Sequence, residues 1–143
     1  MPRAHAIALA LLLAGLAAAC TREADPQPAL PGIDPAGQGA VEWRGSLPCA
    51  DCEAIDTRLV LERQQGAQRY ELVEVYVAVE GSVRFEEHGE WQLHDALLSL
   101  EPDTGGLRRY ALVHGGALQV RDLQGSVFPG RDGDLLQPLA RQP

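Results

Sequence analysis

Residues 45–63 read GSLPCADCEAIDTRLVLER, and the residues after the two cysteines decide the fold. Cys52 leads into a brief turn, and then Leu59 and Leu61 alternate with Arg58 and Glu62. A period of two means a strand with one buried face and one wet face. Thioredoxin-type redox pairs sit instead where a strand runs into a helix, whose N-terminus lowers the pKa of the first thiol. No helix is expected after Cys52, which disfavours redox catalysis of that kind. A structural zinc site needs four ligands, and the chain has no second CxxC. His88, His94 and His114 lack tight metal-ligand spacing, and a solvated surface position is expected for each.

The same alternation recurs on both sides of this stretch. Val41 and Trp43 alternate with Glu42 and Arg44, Val83 and Phe85 with Arg84 and Glu86, Trp91 and Leu93 with Glu90 and Gln92, and Leu118 and Val120 with Gln119 and Arg121. Runs at 70–79 and 107–113 are rich in β-branched and aromatic residues. Turn signals separate them at Gln65-Gly66, Glu80-Gly81, Asp103 to Gly106, Gly115-Gly116, Gln124-Gly125 and Asp132-Gly133. The pattern predicts an all-β domain, an antiparallel meander of about eight short strands, closed into a barrel that leaves no exposed edge. Trp43, Phe85 and Trp91 fall on inward faces, where they fill the interior or line a cavity for a small apolar ligand. Arg108-Arg109 reads as a solvated strand position, and Glu86, Glu87 and Glu90 as an exposed turn and strand face without the alternating oxygen ligands of a calcium loop. Ser46, Ser82, Ser99 and Ser126 have no nucleophile-elbow context. No catalytic residues are identified, and the protein is read as a non-enzyme.

The N-terminus sets the compartment. Arg3 precedes an apolar run from Ile7 to Ala19 that is too short to span a bilayer and ends in LAAAC at 16–20. A charged start, an apolar middle and a small-residue end are the parts of a secretory signal, here residues 1–19. A cysteine directly after small residues resembles a bacterial lipobox, which makes Cys20 the lipidated first residue of the mature chain. The alternative is ordinary signal cleavage that leaves a free or cross-linking thiol. Thr21 is not the aspartate associated with inner-membrane retention, so the expected address is the outer membrane, facing the periplasm. Residues 20–40, with Pro26, Pro28, Pro31 and Pro35 and several glycines, read as a disordered, Pro/Gly-rich linker that spans on the order of 60 Å at about 3.1 Å per residue. Residues 41–143 remain as one small domain. Loss of Arg3 with the signal moves the formal net charge from −8 to −9, and there are no lysines. An acidic surface without a basic stripe argues against nucleic acid and against docking on anionic lipid by charge alone. Contact with the membrane would come through the N-terminal lipid.

GSLPCADCEAIDTRLVLE at 45–62, RYELVEVY at 69–76, FEEHGEW at 85–91, LSL at 98–100, YALV at 110–113 and LQVRDLQGSV at 118–127 together resemble the N-terminal domain family of the copper-resistance lipoprotein NlpE. The resemblance implies a small lipocalin-like β-barrel at the outer membrane. It also implies a role in the Cpx envelope-stress response through an inner-membrane sensor kinase, and a link to copper tolerance. Ala54 stands where the family commonly has glycine. Larger members carry a second, C-terminal domain with its own cysteine pair, and nothing that depends on that domain is carried over to this chain.

Three readings of Cys49 and Cys52 stay open. In an oxidising periplasm two thiols three residues apart close a small disulfide that rigidifies the loop. As two thiolates they would capture a soft ion such as Cu(I). As a pair that switches between dithiol and disulfide, they would expose a signalling surface in one state. Asp51 between them disfavours a thiolate but suits a bound cation. The corresponding functions are envelope-stress or copper-related sensing through protein interaction, a carrier of Cu(I) or of a small apolar ligand, or a structural envelope lipoprotein.

Overall fold

In the computed structural model, which describes residues 29–34 and 37–139, eight antiparallel strands close into a barrel in sequence order. They are β1 (Gly39–Leu47), β2 (Ala54–Gln64), β3 (Ala67–Ala78), β4 (Gly81–His94), β5 (Leu97–Pro102), β6 (Arg108–Leu112), β7 (Leu118–Arg121) and β8 (Leu135–Pro138). Closure comes from β8 returning to β1, with Trp43 opposite Pro138 and Arg44 opposite Gln137. The one helical element among the described residues is a single 3₁₀ turn at His114–Gly116. The predicted all-β barrel and its strand number are therefore found.

An up-and-down barrel has two unlike ends. The β2–β3, β4–β5 and β6–β7 connections lie at one end and the β1–β2, β3–β4, β5–β6 and β7–β8 connections at the other. The first end is a floor. Trp43, Leu59, Leu61, Leu72, Trp91, Leu98, Leu100, Leu118 and Leu136 are fully buried, so apolar side chains of alternate residues fill the lower interior completely. Both indoles meet their hydrogen-bond need there: Trp43 Nε1 donates to the Gly116 carbonyl at 2.8 Å and Trp91 Nε1 to the Glu62 carbonyl at 2.9 Å. Arg63 lies over the Trp91 ring at 5.0 Å from its centre.

Some expectations change. Leu30 is buried in the core and Ile33 bridges to Gly39, so packed structure begins inside the segment read as linker; a branched apolar side chain that reaches the floor is anchored whatever its proline-rich surroundings. Phe85 has inward parity but is 55% exposed, because β4 outruns β5 and no wall stands opposite it. Residues 1–19, Cys20 and most of the linker lie outside the described residues.

Candidate functional site

The second end of the barrel is an open mouth, and the cysteine pair sits on its rim. Pro48 to Glu53 join β1 to β2, and Cys49 and Cys52 form a disulfide there with Cα atoms 5.2 Å apart. The loop is tied to the sheet directly after the bridge: the Glu53 amide donates to the Val77 carbonyl at 2.8 Å, and Ala54 then pairs with Val77 on β3. Val77 lies next to the β3–β4 turn, so the disulfide loop and that hairpin form one side of the mouth. The hairpin carries exposed apolar side chains at Val79 (88%), Val83 (57%) and Phe85. Tyr76 and Phe85 stack edge to face with centres 5.2 Å apart.

A disulfide offers no thiolate, and among the described residues no group of three or more His, Cys, Asp or Glu side chains gathers to hold a metal. The oxidised pair does not fit a Cu(I) site. His94 is solvated at the far end of β4, beside Asp95. Cys20 lies outside the described residues, so its relation to the mouth is not given by the fold.

The interior of the mouth holds a charged cluster. Glu74 on β3, Glu87 on β4 and Arg108 on β6 share the inward parity of Leu72, Gly89 and Tyr110, and they converge where the apolar filling ends. Arg108 Nε donates to Glu87 at 3.0 Å, its two terminal nitrogens reach the Glu74 carboxylate at 3.4 and 3.5 Å, and the Tyr70 hydroxyl donates to Glu87 at 2.8 Å. The Glu74 side chain is only 10% exposed, so it needs this partner. Burial works against the Arg108 charge, but Glu74 and Glu87 outweigh it and hold the guanidinium above its ordinary range. Burial, followed by the bond to Glu87, pushes the Tyr70 phenol up, and burial does the same to Tyr110.

Sequence reasoning placed Arg108 in solvent and Glu87 on an exposed face; both are instead half-buried members of this cluster. The signal was parity, since Arg108 is two residues from Tyr110 and Glu74 two from Leu72 and Tyr76. A cleft of about 690 Å³ opens beside the cluster, between β4 and the β5–β6 connection, lined by Tyr76, Val83, Phe85, Glu87, Thr104 and Arg108 among others. Apolar walls with a fixed ionic floor favour recognition of a side chain or segment over acid–base chemistry.

Comparison with known proteins agrees with this architecture. The chain is 38% identical over 85 residues to "Lipoprotein NlpE" of Escherichia coli (strain K12), covering 59% of this chain and 34% of that protein. The solved structure titled "Crystal structure of the Cpx pathway activator NlpE from Escherichia coli" superposes with a TM-score of 0.52 at 30% identity, over 62% of this chain and 45% of that one. The chain thus spans about a third of the length of the curated relative it matches. Residues 43–131, which contain the disulfide loop and the mouth cluster, match the NlpE N-terminal domain, and the chain belongs to that family.

Proposed function

We propose that this protein is a periplasm-facing outer-membrane lipoprotein, acylated at Cys20, that takes part in Cpx-type envelope-stress sensing through protein contact and not catalysis. The observation that carries the reading is the joining of the disulfide loop to β3 beside the exposed Val79, Val83 and Phe85. A change at Cys49 and Cys52 is transmitted over one hydrogen-bonded residue to an apolar surface suited to a partner. Reduction by a dithiol donor would break the S–S bond, deliver two electrons and two protons to the cysteines, and leave the donor as its disulfide. The related E. coli protein is titled a Cpx pathway activator, which supports the same partner class, an inner-membrane sensor kinase. Copper enters only through the reduced pair, as two thiolates for Cu(I).

The experiment is a Cpx-responsive reporter in cells that carry the native chain, Cys20→Ser, or Cys49→Ser with Cys52→Ser. Thiol state is read by alkylation before and after reduction. Cys20→Ser should move the protein off the membrane and alter the reporter, and the paired serine variant should alter the response to a reductant. A reporter indifferent to both variants would sink the reading.

A further inference from the structure

The barrel wall has a gap. Over Gly81–His88 the outer flank of β4 has no partner strand among the described residues, because β5 pairs with β4 only from Gly89 to His94. The one bond to that flank comes at its end, where the Asp103 amide donates to the His88 carbonyl at 2.9 Å. Alternation along an antiparallel strand turns the backbone groups of Ser82, Arg84 and Glu86 to the same side as those of His88. Glu86 and His88 line the cleft between β4 and the β5–β6 connection, and Arg84 and Ser82 continue the same edge toward the β3–β4 turn. Val83 and Phe85 stand on the cleft side of the sheet with Tyr76 behind them.

We propose that this flank receives an extended segment of another protein, which adds to β4 as a strand and fills the missing part of the wall. Main-chain bonds to Ser82, Arg84 and Glu86 would set its register, and alternate apolar side chains would pack on Val83 and Phe85. Charge names the chemistry of the segment. From Arg69 to Glu90 the β3–β4 ribbon carries Glu71, Glu74, Glu80, Glu86, Glu87 and Glu90 against Arg69 and Arg84; Arg58 pairs with Glu71 and Arg108 with Glu74 and Glu87 from outside the ribbon, and an acidic excess of six glutamates over four arginines is left, in a chain with net charge −8. The complementary occupant alternates apolar residues with lysine or arginine. The proposal rests on the reading that the domain works by protein contact, and it specifies the surface.

The test uses the full chain in lipid nanodiscs and a short peptide alternating valine with lysine. Two controls accompany it: the same peptide with glutamate for lysine, and the lysine peptide N-methylated on one edge. Hydrogen exchange should show the lysine peptide protecting the Ser82, Arg84 and Glu86 amides, with binding that weakens as salt rises. Arg84→Pro removes an edge donor without touching the β3 ladder, and Phe85→Ser removes the main apolar contact; each should weaken binding about tenfold. Equal binding of the glutamate or N-methylated peptide would overturn the proposal. So would concentration-dependent protection of these amides without peptide, which would make a second copy the occupant. If Arg84→Pro does not fold, the N-methylated peptide decides on the native chain. Absent peptide binding with an intact reporter response overturns the edge and leaves the Cpx reading standing, and the reverse result does the opposite.

Discussion

Arg108 Nε lies 3.0 Å from the Glu87 carboxylate although their strands, β6 and β4, are not neighbours in the barrel. This ion pair spans the gap that β5 leaves, and it is the tie between the two sides of the mouth.

Replacing Arg108 with methionine should therefore cost more than an exposed ion pair. The nearly buried Glu74 and the partly buried Glu87 would be left without a cation, which predicts a loss of about 2 kcal/mol, scaled down from a fully buried pair because Arg108 is partly exposed. Urea unfolding of the two proteins measures it. A loss within the range of ordinary surface substitutions would mean the cluster contributes little.

Gly89 marks the point where β4 leaves β5. A Cβ there would meet the Glu101 carbonyl and come within 2.7 Å of Tyr70 Cε1, so backbone would have to move. Gly89→Ala should destabilise by roughly 3 kcal/mol or prevent folding. Gly133→Ala meets no atom and needs no left-handed backbone, so it should lose far less. Paired thermal melts of the two variants give the comparison, and equal losses would contradict the close approach.

Tyr70 and Tyr110 hold their phenols above the ordinary range, chiefly through burial. The unfolded chain ionises near pH 10, before the folded one does. This stability is thus complete below about pH 10 and is lost as pH rises through the folded values. Tyr110→Phe should flatten the fall in stability on the alkaline side, measured by urea midpoints from pH 8 to pH 11. An unchanged slope would mean Tyr110 contributes nothing to it.

At the acid end Glu42 behaves in the opposite sense. Its hydrogen bond from Arg58 lowers its pKa against the opposing effect of burial, with Arg44 assisting. The contribution is present above the ordinary glutamate value and is lost as pH falls through the folded one. Glu42→Gln should cost about 0.5–1 kcal/mol at pH 7 and almost nothing at pH 2, by the same urea assay. A pH-independent difference would point to packing instead.

The disulfide closes a very short loop, and loop-closure arithmetic gives it roughly 2 kcal/mol. The apolar filling lies at the other end of the barrel, so Cys49→Ser with Cys52→Ser should keep the barrel and lower the unfolding free energy by that amount. Circular dichroism that loses its β signal in the double variant would show that the loop organises more than the rim.

Much of the fold was legible because alternation is a strong local signal: Trp43, Leu59, Leu61 and Trp91 lie where period two puts them. Alternation reports only which face a side chain takes, not whether anything stands opposite. Phe85 was misplaced for that reason, since the shortness of β5 is a property of its neighbours. Arg108 and Glu87 were misplaced by the opposite error, in which charge outweighed a parity that pointed inward. The disulfide loop was visible as a CxxC before a strand, but its attachment to Val77 depends on the register of β2 and β3, which no local pattern contains.

Leu30 and Leu139 are both held at the floor of the barrel, so a label attached beside either residue starts from the end opposite the rim. Leu139 is fixed there by the hydrogen bond its backbone N–H donates to the Glu42 carbonyl, and Pro31 and Pro138 both pack near Gly116. The disulfide and the open flank of β4 therefore form the tip farthest from both attachments. A bait protein immobilised beside Leu30 or Leu139 is held by the floor and leaves that tip open to a partner.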